Sequence, residues 1–348
     1  MSLGPECRAD SFRPERASNV SGEGRGRGCA GPRWSTDLRS SDRKLVLGEI
    51  STAYRVTGRG PVKVLLIHAL TGGTDAADRD GVKGWWGPVF APGAPLAEDA
   101  ATVWTPNLFG SCYGTTSPDQ FDPCPAISTR LQAEVLAAWI RVLDLHFDVV
   151  IGPSLGGMVA LELAHMMPGA FRAIGIIGCA ARSDAWLWGT NEIQRAILQR
   201  PELPDDVAIG LARRAAMLTF RAPTSMGERF GAPEEIRDWL AYHGKLLAAR
   251  FTRASYLAML DAMDGHDLGR DRGGLVPAFA TINTPIFMLA MMDDRMISTG
   301  SMFETLNAAE EAGLRCTLDW IQTIHGHDSF LIEWPQVMAW LRKVMDSL

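Results

Sequence analysis

Phe147–Met158 reads FDVVIGPSLGGM. Phe147 to Ile151 is a short apolar run rich in β-branched residues, which favours a buried strand. Gly152 and Pro153 end it. From Leu155 the apolar residues recur at three- and four-residue spacing through Met167, the mark of a helix packed on one side. A serine therefore sits at a sharp junction between strand and helix, in the pattern G-x-S-x-G formed by Gly152, Ser154 and Gly156. Small residues are required on either side because a serine in such a turn has a strained backbone and its neighbours pass close to it.

Outward from this junction, the chain alternates between strand and helix signals. Val62–Ile67, Thr102–Thr105, Val149–Ile151, Ala173–Ile177 and Ile286–Ala290 are apolar runs bounded by Gly, Pro, Asn or Asp. Helical periodicity follows in Ser128–Leu145, Leu155–Met167, Gly300–Ala312 and Pro335–Met345. Such an alternation builds a mostly parallel sheet with helices on both faces. With the serine elbow, it predicts an α/β-hydrolase fold. From Ala181 to about Gly274 the alternation stops, and helical stretches are broken by Pro201, Pro204, Pro223 and Pro233. We expect an α/β core of residues 44–182 and 275–348, with 183–274 inserted as a helical cap over the carboxyl ends of the strands, where such sheets bind ligands.

Composition narrows the function. Across 348 residues, hydrophobic residues make up 47% and charged residues 21%, enough for a sizeable core. A net charge of −6 offers no broad basic surface for phosphates, so a small molecule is expected as partner rather than nucleic acid. No apolar run reaches the roughly 18 residues that cross a bilayer, and the N-terminus lacks a signal-peptide core, so the expectation is a cytoplasmic protein with no membrane partner. Six cysteines are scattered without metal-like spacing, and no metal site is expected. Residues 1–43 hold eight arginines, six acids and little periodic apolar content, which predicts a flexible tail.

A serine hydroxyl becomes a nucleophile only when a base takes its proton, and that base is held in turn by an acid. In this fold the order along the chain is serine, acid, histidine. His325 and His327 both lie after the last strand-like run, Cys316–Ile321, in the loop IHGHDSF. His327 is the candidate base, because Gly326 beside it permits a tight turn, with His325 as the alternative. The acid is expected at the end of the strand Pro285–Met291, where Asp294 is preferred to Asp293. The oxyanion hole needs two backbone N–H groups. Leu155 supplies one, and the loop HALTGG after the early strand supplies the other, with Leu70 as candidate. His68, just ahead of that loop, reads as structural.

These residues lie in blocks that resemble a particular family, the homoserine O-acyltransferases. The blocks are His68–Gly72 (HALTG), Gly84–Trp86 (GWW), Asn107–Thr116 (NLFGSCYGTT), Ser154–Met158 (SLGGM), Cys179–Arg182 (CAAR) with Asn191–Arg195 (NEIQR), and Gly326–Leu331 (GHDSFL). The resemblance implies that Ser154 takes an acetyl group from acetyl-CoA as co-substrate and passes it to the hydroxyl of L-homoserine, a step of methionine biosynthesis, with no permanently bound cofactor. It also implies that Arg221, in LTFRAP, holds the substrate carboxylate, that Asp328 holds its amino group, and that two copies associate through the cap. Pro153 and Leu155 stand where the family has glycine and methionine, and Thr252 and Ala254 stand where a family block reads aspartate and asparagine. An esterase or thioesterase, a succinyl-CoA donor, or another hydroxy acceptor are the alternatives.

Overall fold

The computed structural model describes residues 33–40, 43–122 and 124–348, with side chains from residue 50 onward. Strands β1 (Arg33–Ser40) and β2 (Arg43–Ser51) form a small antiparallel pair. Most of the tail expected over 1–43, with Cys7 and Cys29, lies outside the described residues. Residues 33–40 depart from that expectation, because strand pairing can order backbone without helical or alternating apolar periodicity.

The main sheet has seven strands: β3 (Tyr54–Thr57), β4 (Val62–Leu66), β5 (Ala101–Pro106), β6 (Val149–Pro153), β7 (Ala173–Ile177), β8 (Ile286–Met291) and β9 (Cys316–Ile321). Their spatial order is β3-β5-β4-β6-β7-β8-β9, and only the β3–β5 pairing is antiparallel. Every residue of β6, β7 and β8 is buried, as expected for central parallel strands covered on both faces.

Alternate residues divide the core into two layers. Leu65, Ile67, Val150, Ile174 and Met288 pack with α1 (Thr129–Val142) and α2 (Leu155–Met166). Leu66, Val149, Ile151, Ile177 and Leu289 pack on the other face with Trp86, Leu96, Val337, Trp340 and Leu341.

Between β7 and β8 lie α3 (Ala185–Leu198), α4 (Asp205–Phe220), α5 (Pro223–Arg229), α6 (Pro233–Ala248), α7 (Arg253–Asp264) and the short α8 (Leu275–Phe279). The two ends of this insertion are zipped together. Ser183 N donates to His266 O at 2.9 Å, and Leu268 N donates to Ala181 O at 2.9 Å. The segment thus leaves and rejoins the core at one place. α9 (Thr299–Glu311) and α10 (Trp334–Met345) complete the core. Among the described residues, no helix is long and apolar enough to cross a membrane.

Candidate active site

The strand β6 ends and α2 begins at Ser154, whose φ of 53° and ψ of −124° are strained for a residue with a side chain. Its N–H donates to Ile177 O on β7 at 2.7 Å, which fixes the turn. Glycine is obligatory on both sides. A Cβ at Gly152 would lie 2.2 Å from Gly156 O, and one at Gly156 would lie 2.2 Å from Ile67 O. Gly157 is similarly confined, since a Cβ there would meet Cys179 Sγ at 2.6 Å. These contacts press the start of α2 against the end of β4.

His327 Nε2 lies 2.9 Å from Ser154 Oγ, and His327 Nδ1 lies 2.8 Å from Asp294 Oδ2. The other oxygen of Asp294 accepts hydrogen bonds from Met296 N at 2.7 Å and Ile297 N at 3.0 Å, so the carboxylate cannot swing away. The His327 loop is set by Gly326, whose φ is +73° and whose Cβ, if present, would meet Ala222 N at 2.8 Å. Trp86 Nε1, from the GWW block, donates to Phe330 O at 3.0 Å and braces the same loop from the other side. Burial works against a charged ring at His327, but the Asp294 carboxylate, through charge and hydrogen bond, and the Asp328 charge outweigh it and raise its pKa above 6.5. The arrangement can take a proton from Ser154 and stabilise the imidazolium that results.

The alternatives considered from sequence lie elsewhere. His325 sits 3.9 Å from Glu333. Asp293 pairs with Arg295 at 2.5 Å and turns its backbone to a φ of 61°. The structure thus gathers Ser154, Asp294 and His327, and leaves His325 and Asp293 out.

Leu155 is the first residue of α2, so its amide belongs to the helix N-terminus beside Ser154. Leu70 lies in the turn after β4, closed by Gly72 N donating to Ala69 O at 2.9 Å. That turn is anchored by His68, which is fully buried. Its Nε2 accepts from Leu108 N at 3.0 Å and its Nδ1 lies 2.7 Å from Ala69 O, an assignment that leaves the ring neutral. Burial lowers its pKa to about 4. A Cβ at Gly156 would lie 2.2 Å from Ile67 O and 2.8 Å from His68 O, so the start of α2 packs against the chain just ahead of Leu70.

The cap reaches the site through the end of α4. Arg221 Nε lies 3.2 Å from Asp328 Oδ2, both side chains being largely buried, and Asp328 adjoins His327 in the chain. The Arg221 guanidinium also lies 6.0 Å from the Trp239 ring. Sequence reading missed how Arg250 ties cap to core: its Nη1 donates to Thr71 O at 2.7 Å and to the Tyr113 hydroxyl. The signal was present in RFTRASYL, but nothing in the pattern said where that arginine would reach. Sequence reading also assigned no role to Trp86 or Arg213.

Comparison with known proteins identifies what the chain is similar to. The family described as "Alpha/beta hydrolase family" matches residues 64–337. A protein of Nostoc punctiforme named homoserine O-acetyltransferase is 34% identical over 342 residues, covering 87% of this chain and 91% of that protein. A Thermus thermophilus protein of the same name is 36% identical over 304 residues, covering 79% of each. Among solved structures, a homoserine O-acetyltransferase from Staphylococcus aureus superposes with a TM-score of 0.76 at 22% identity, covering 90% of this chain and 94% of that one. Esterase E22 superposes with a TM-score of 0.78 at 16% identity, covering 90% of this chain and 99% of that one. The two structural likenesses speak to the fold.

Proposed function

Because this chain belongs to the family of the homoserine O-acetyltransferases within the α/β hydrolases, we propose that it moves an acetyl group from acetyl-CoA to the hydroxyl of L-homoserine through an acyl-enzyme on Ser154. The observation that carries this reading is the Arg221–Asp328 pair set beside the hydrogen-bonded chain Ser154–His327–Asp294. A guanidinium and a carboxylate next to the base offer one partner for each charge of an amino-acid acceptor, which a neutral ester does not need.

In the first half-reaction, His327 takes the proton of Ser154 as Oγ attacks the thioester carbonyl, and Asp294 supports the imidazolium. The Leu70 and Leu155 amides hold the developing oxyanion. The carbon–sulfur bond breaks, His327 returns the proton to the departing thiolate, and free CoA leaves. In the second half-reaction, the homoserine hydroxyl gives its proton to His327 and attacks the acetylated serine, and the same proton then restores Ser154. The product is O-acetyl-L-homoserine, an activated precursor suited to methionine biosynthesis. Arg221 holds the acceptor carboxylate and Asp328 its amino group, aiming the hydroxyl at the ester.

Water in place of homoserine would turn the same groups into an esterase, without use of Arg221 and Asp328. CoA release from acetyl-CoA and succinyl-CoA, each with and without L-homoserine, separates the readings. We expect acceptor-dependent release from acetyl-CoA, parallel double-reciprocal lines, and an acetylated Ser154 peptide when acceptor is withheld. CoA release at the same rate without any acceptor would assign the chain to hydrolysis. Intersecting lines without a trapped peptide would remove the acyl-enzyme.

A further inference from the structure

The turn that carries Leu70 is held from two sides. Gly72 N donates to Ala69 O at 2.9 Å, so Ala69 to Gly72 form a β-turn with Leu70 and Thr71 at its centre. His68 anchors it within the core, with Nδ1 2.7 Å from Ala69 O. The second grip comes from two side chains. Arg250, in the cap between α6 and α7, donates through Nη1 to Thr71 O at 2.7 Å and to the Tyr113 hydroxyl. The Tyr113 ring lies against Gly73, the residue after the turn, where an added Cβ would meet Tyr113 Cδ2 at 2.8 Å and Cε2 at 3.1 Å.

Tyr113 holds this place against its own backbone preference. Its φ is 70°, in the left-handed region that a bulky side chain rarely adopts. A glycine there, like Gly110 and Gly114 nearby at φ 78° and 88°, would take the same conformation without strain. Strain of this kind persists only where the surroundings over-determine it. Here they do. The Phe251 ring meets Tyr113 edge-on with centroids 6.2 Å apart, Thr252 N donates to Cys112 Sγ at 3.3 Å, and Asn107 Nδ2 donates to Cys112 O. Residues 107–114 of the core and 250–252 of the cap are thus fastened together at the Leu70 turn. A simple brace between cap and core could use any exposed carbonyl, but the one that Arg250 grips belongs to a central residue of that turn.

We propose that Arg250 and Tyr113 are positioning residues of the oxyanion hole, locking the turn so that the Leu70 amide is offered in one orientation to the oxygen that becomes negative. The inference rests on the serine acyl-enzyme reading, in the form that a transferase and an esterase share. Gly72 and Gly73 lend the exit of the turn many conformations. A grip on Thr71 O before them and a ring against Gly73 remove that freedom. A donor fixed in advance stabilises the oxyanion without reorganising at the moment of reaction, whereas one that must first find its place contributes less. Arg250 thereby acts on the chemistry of the core although it belongs to the cap.

The test uses Arg250→Met, which keeps an apolar stem and removes the donors, and Tyr113→Phe, which keeps the ring on Gly73 and removes the hydroxyl. Two quantities are read: the acylation rate from the burst of p-nitrophenolate released by p-nitrophenyl acetate, and the Ki of a trifluoromethyl ketone against that of the matching methyl ketone. Ser154 Oγ adds to the trifluoromethyl ketone, its proton passes to His327, and the ketone oxygen becomes an oxyanion in the hole; the methyl ketone binds without that addition. Arg250→Met should slow acylation and weaken the trifluoromethyl ketone by about 10- to 100-fold each, with the methyl ketone within about twofold. Arg250→Lys should recover part of the loss, because it keeps one donor for Thr71 O. Tyr113→Phe should cost about 3- to 10-fold in the same two quantities, and less than about twofold when added to Arg250→Met, since the pair acts as a unit. Equal weakening of the two ketones, or acylation by Arg250→Met within about twofold of wild type, would overturn the proposal and leave Arg250 a brace for the cap. Should Arg250→Met fail to fold, Tyr113→Phe is read by the same ratio of the two ketones. If wild type shows neither a burst nor preference for the trifluoromethyl ketone, the serine acyl-enzyme reading fails by itself. Hydrogen exchange in the peptide spanning residues 68–73 then decides the clamp: exchange about tenfold faster or more in Arg250→Met supports it, and an unchanged rate removes it.

Discussion

On the core side of the site, backbone decides where each group lies, whereas on the cap side charged side chains do. Ser154 is held by a strained φ, a bond to Ile177 O and two glycines with no room for a Cβ. Asp294 is pinned by two amides and His327 by Asp294 and the Gly326 turn. In the cap, Arg221 meets Asp328, and Arg195 meets Asp261 and Asp264. Arg253 gathers the carbonyls of Leu198, Arg200 and Leu203. Backbone-imposed geometry tolerates almost no substitution and serves a step common to many substrates. Side-chain pairing is adjustable and suits the choice of substrate. Arg250 apart, loss of chemistry should therefore come from the core, and loss of discrimination from the cap.

The sharpest trial of that division is Ser154→Ala. It removes one hydroxyl from a turn whose shape depends on its neighbours, so the protein should fold normally while acyl transfer falls about 10³-fold or more. Retention of more than a tenth of the activity would place the nucleophile elsewhere. Gly156→Ala tests the other half of the same claim. The new methyl would overlap Ile67 O and His68 O, both backbone atoms unable to move without shifting β4. A destabilisation of about 3 kcal/mol or more is expected, measured by denaturant unfolding. A folded variant of near-normal stability would mean that the elbow is looser than its contacts imply.

Arg221→Ala should separate discrimination from chemistry. With homoserine as acceptor, kcat/KM should fall roughly 30- to 1000-fold more than for hydrolysis of p-nitrophenyl acetate, because only the amino acid leaves a carboxylate unpaired. Equal losses on both substrates would make Arg221 a brace for the cap and move the reading toward an esterase.

Asp328→Asn probes the one place where the two regions share a charge. Asp328 raises the His327 pKa, and its removal also leaves the Arg221 guanidinium unopposed nearby; both changes disfavour the imidazolium. The base form then persists to lower pH. The rising limb of kcat/KM against pH should therefore lie above 6.5 in wild type and move down in the variant, measured on p-nitrophenyl acetate so that acceptor binding is not read. An unmoved limb would show that Asp328 does not reach the base electrostatically.

The same division explains what could be read in the sequence. Gly152 and Gly156 announced the elbow because no other residue fits, and Asp294 and His327 followed from their places after β8 and β9. The central strands were legible because all their residues are apolar. β3 escaped notice, being four residues long with a half-polar pattern. Arg213 escaped too: in LARRAA two arginines stand side by side, and only the packed helix shows that one of them shares a face with Ile209, Met217 and Phe220. Spacing reports where backbone must be small or buried. It does not report which of several long charged side chains will meet.

The smallest effect concerns a glycine that the fold does not require. Gly189 sits inside α3, is exposed, and would present an added Cβ to nothing within 4 Å. Its backbone is helical, so alanine can adopt it without strain while the unfolded chain loses conformational freedom. Gly189→Ala should raise stability by about 0.5–1 kcal/mol, visible as a rise in Tm on the order of 1–3 °C. Acyl transfer should stay within about twofold of wild type, since no group of the site touches this turn of the helix. The substitution is as small as Gly156→Ala and opposite in sign, because one glycine is packed by backbone and the other faces open space. A loss of stability at Gly189 would mean that another surface covers α3 in solution, and the nearby exposed rings of Trp186 and Trp188 would then be the first place to look for it.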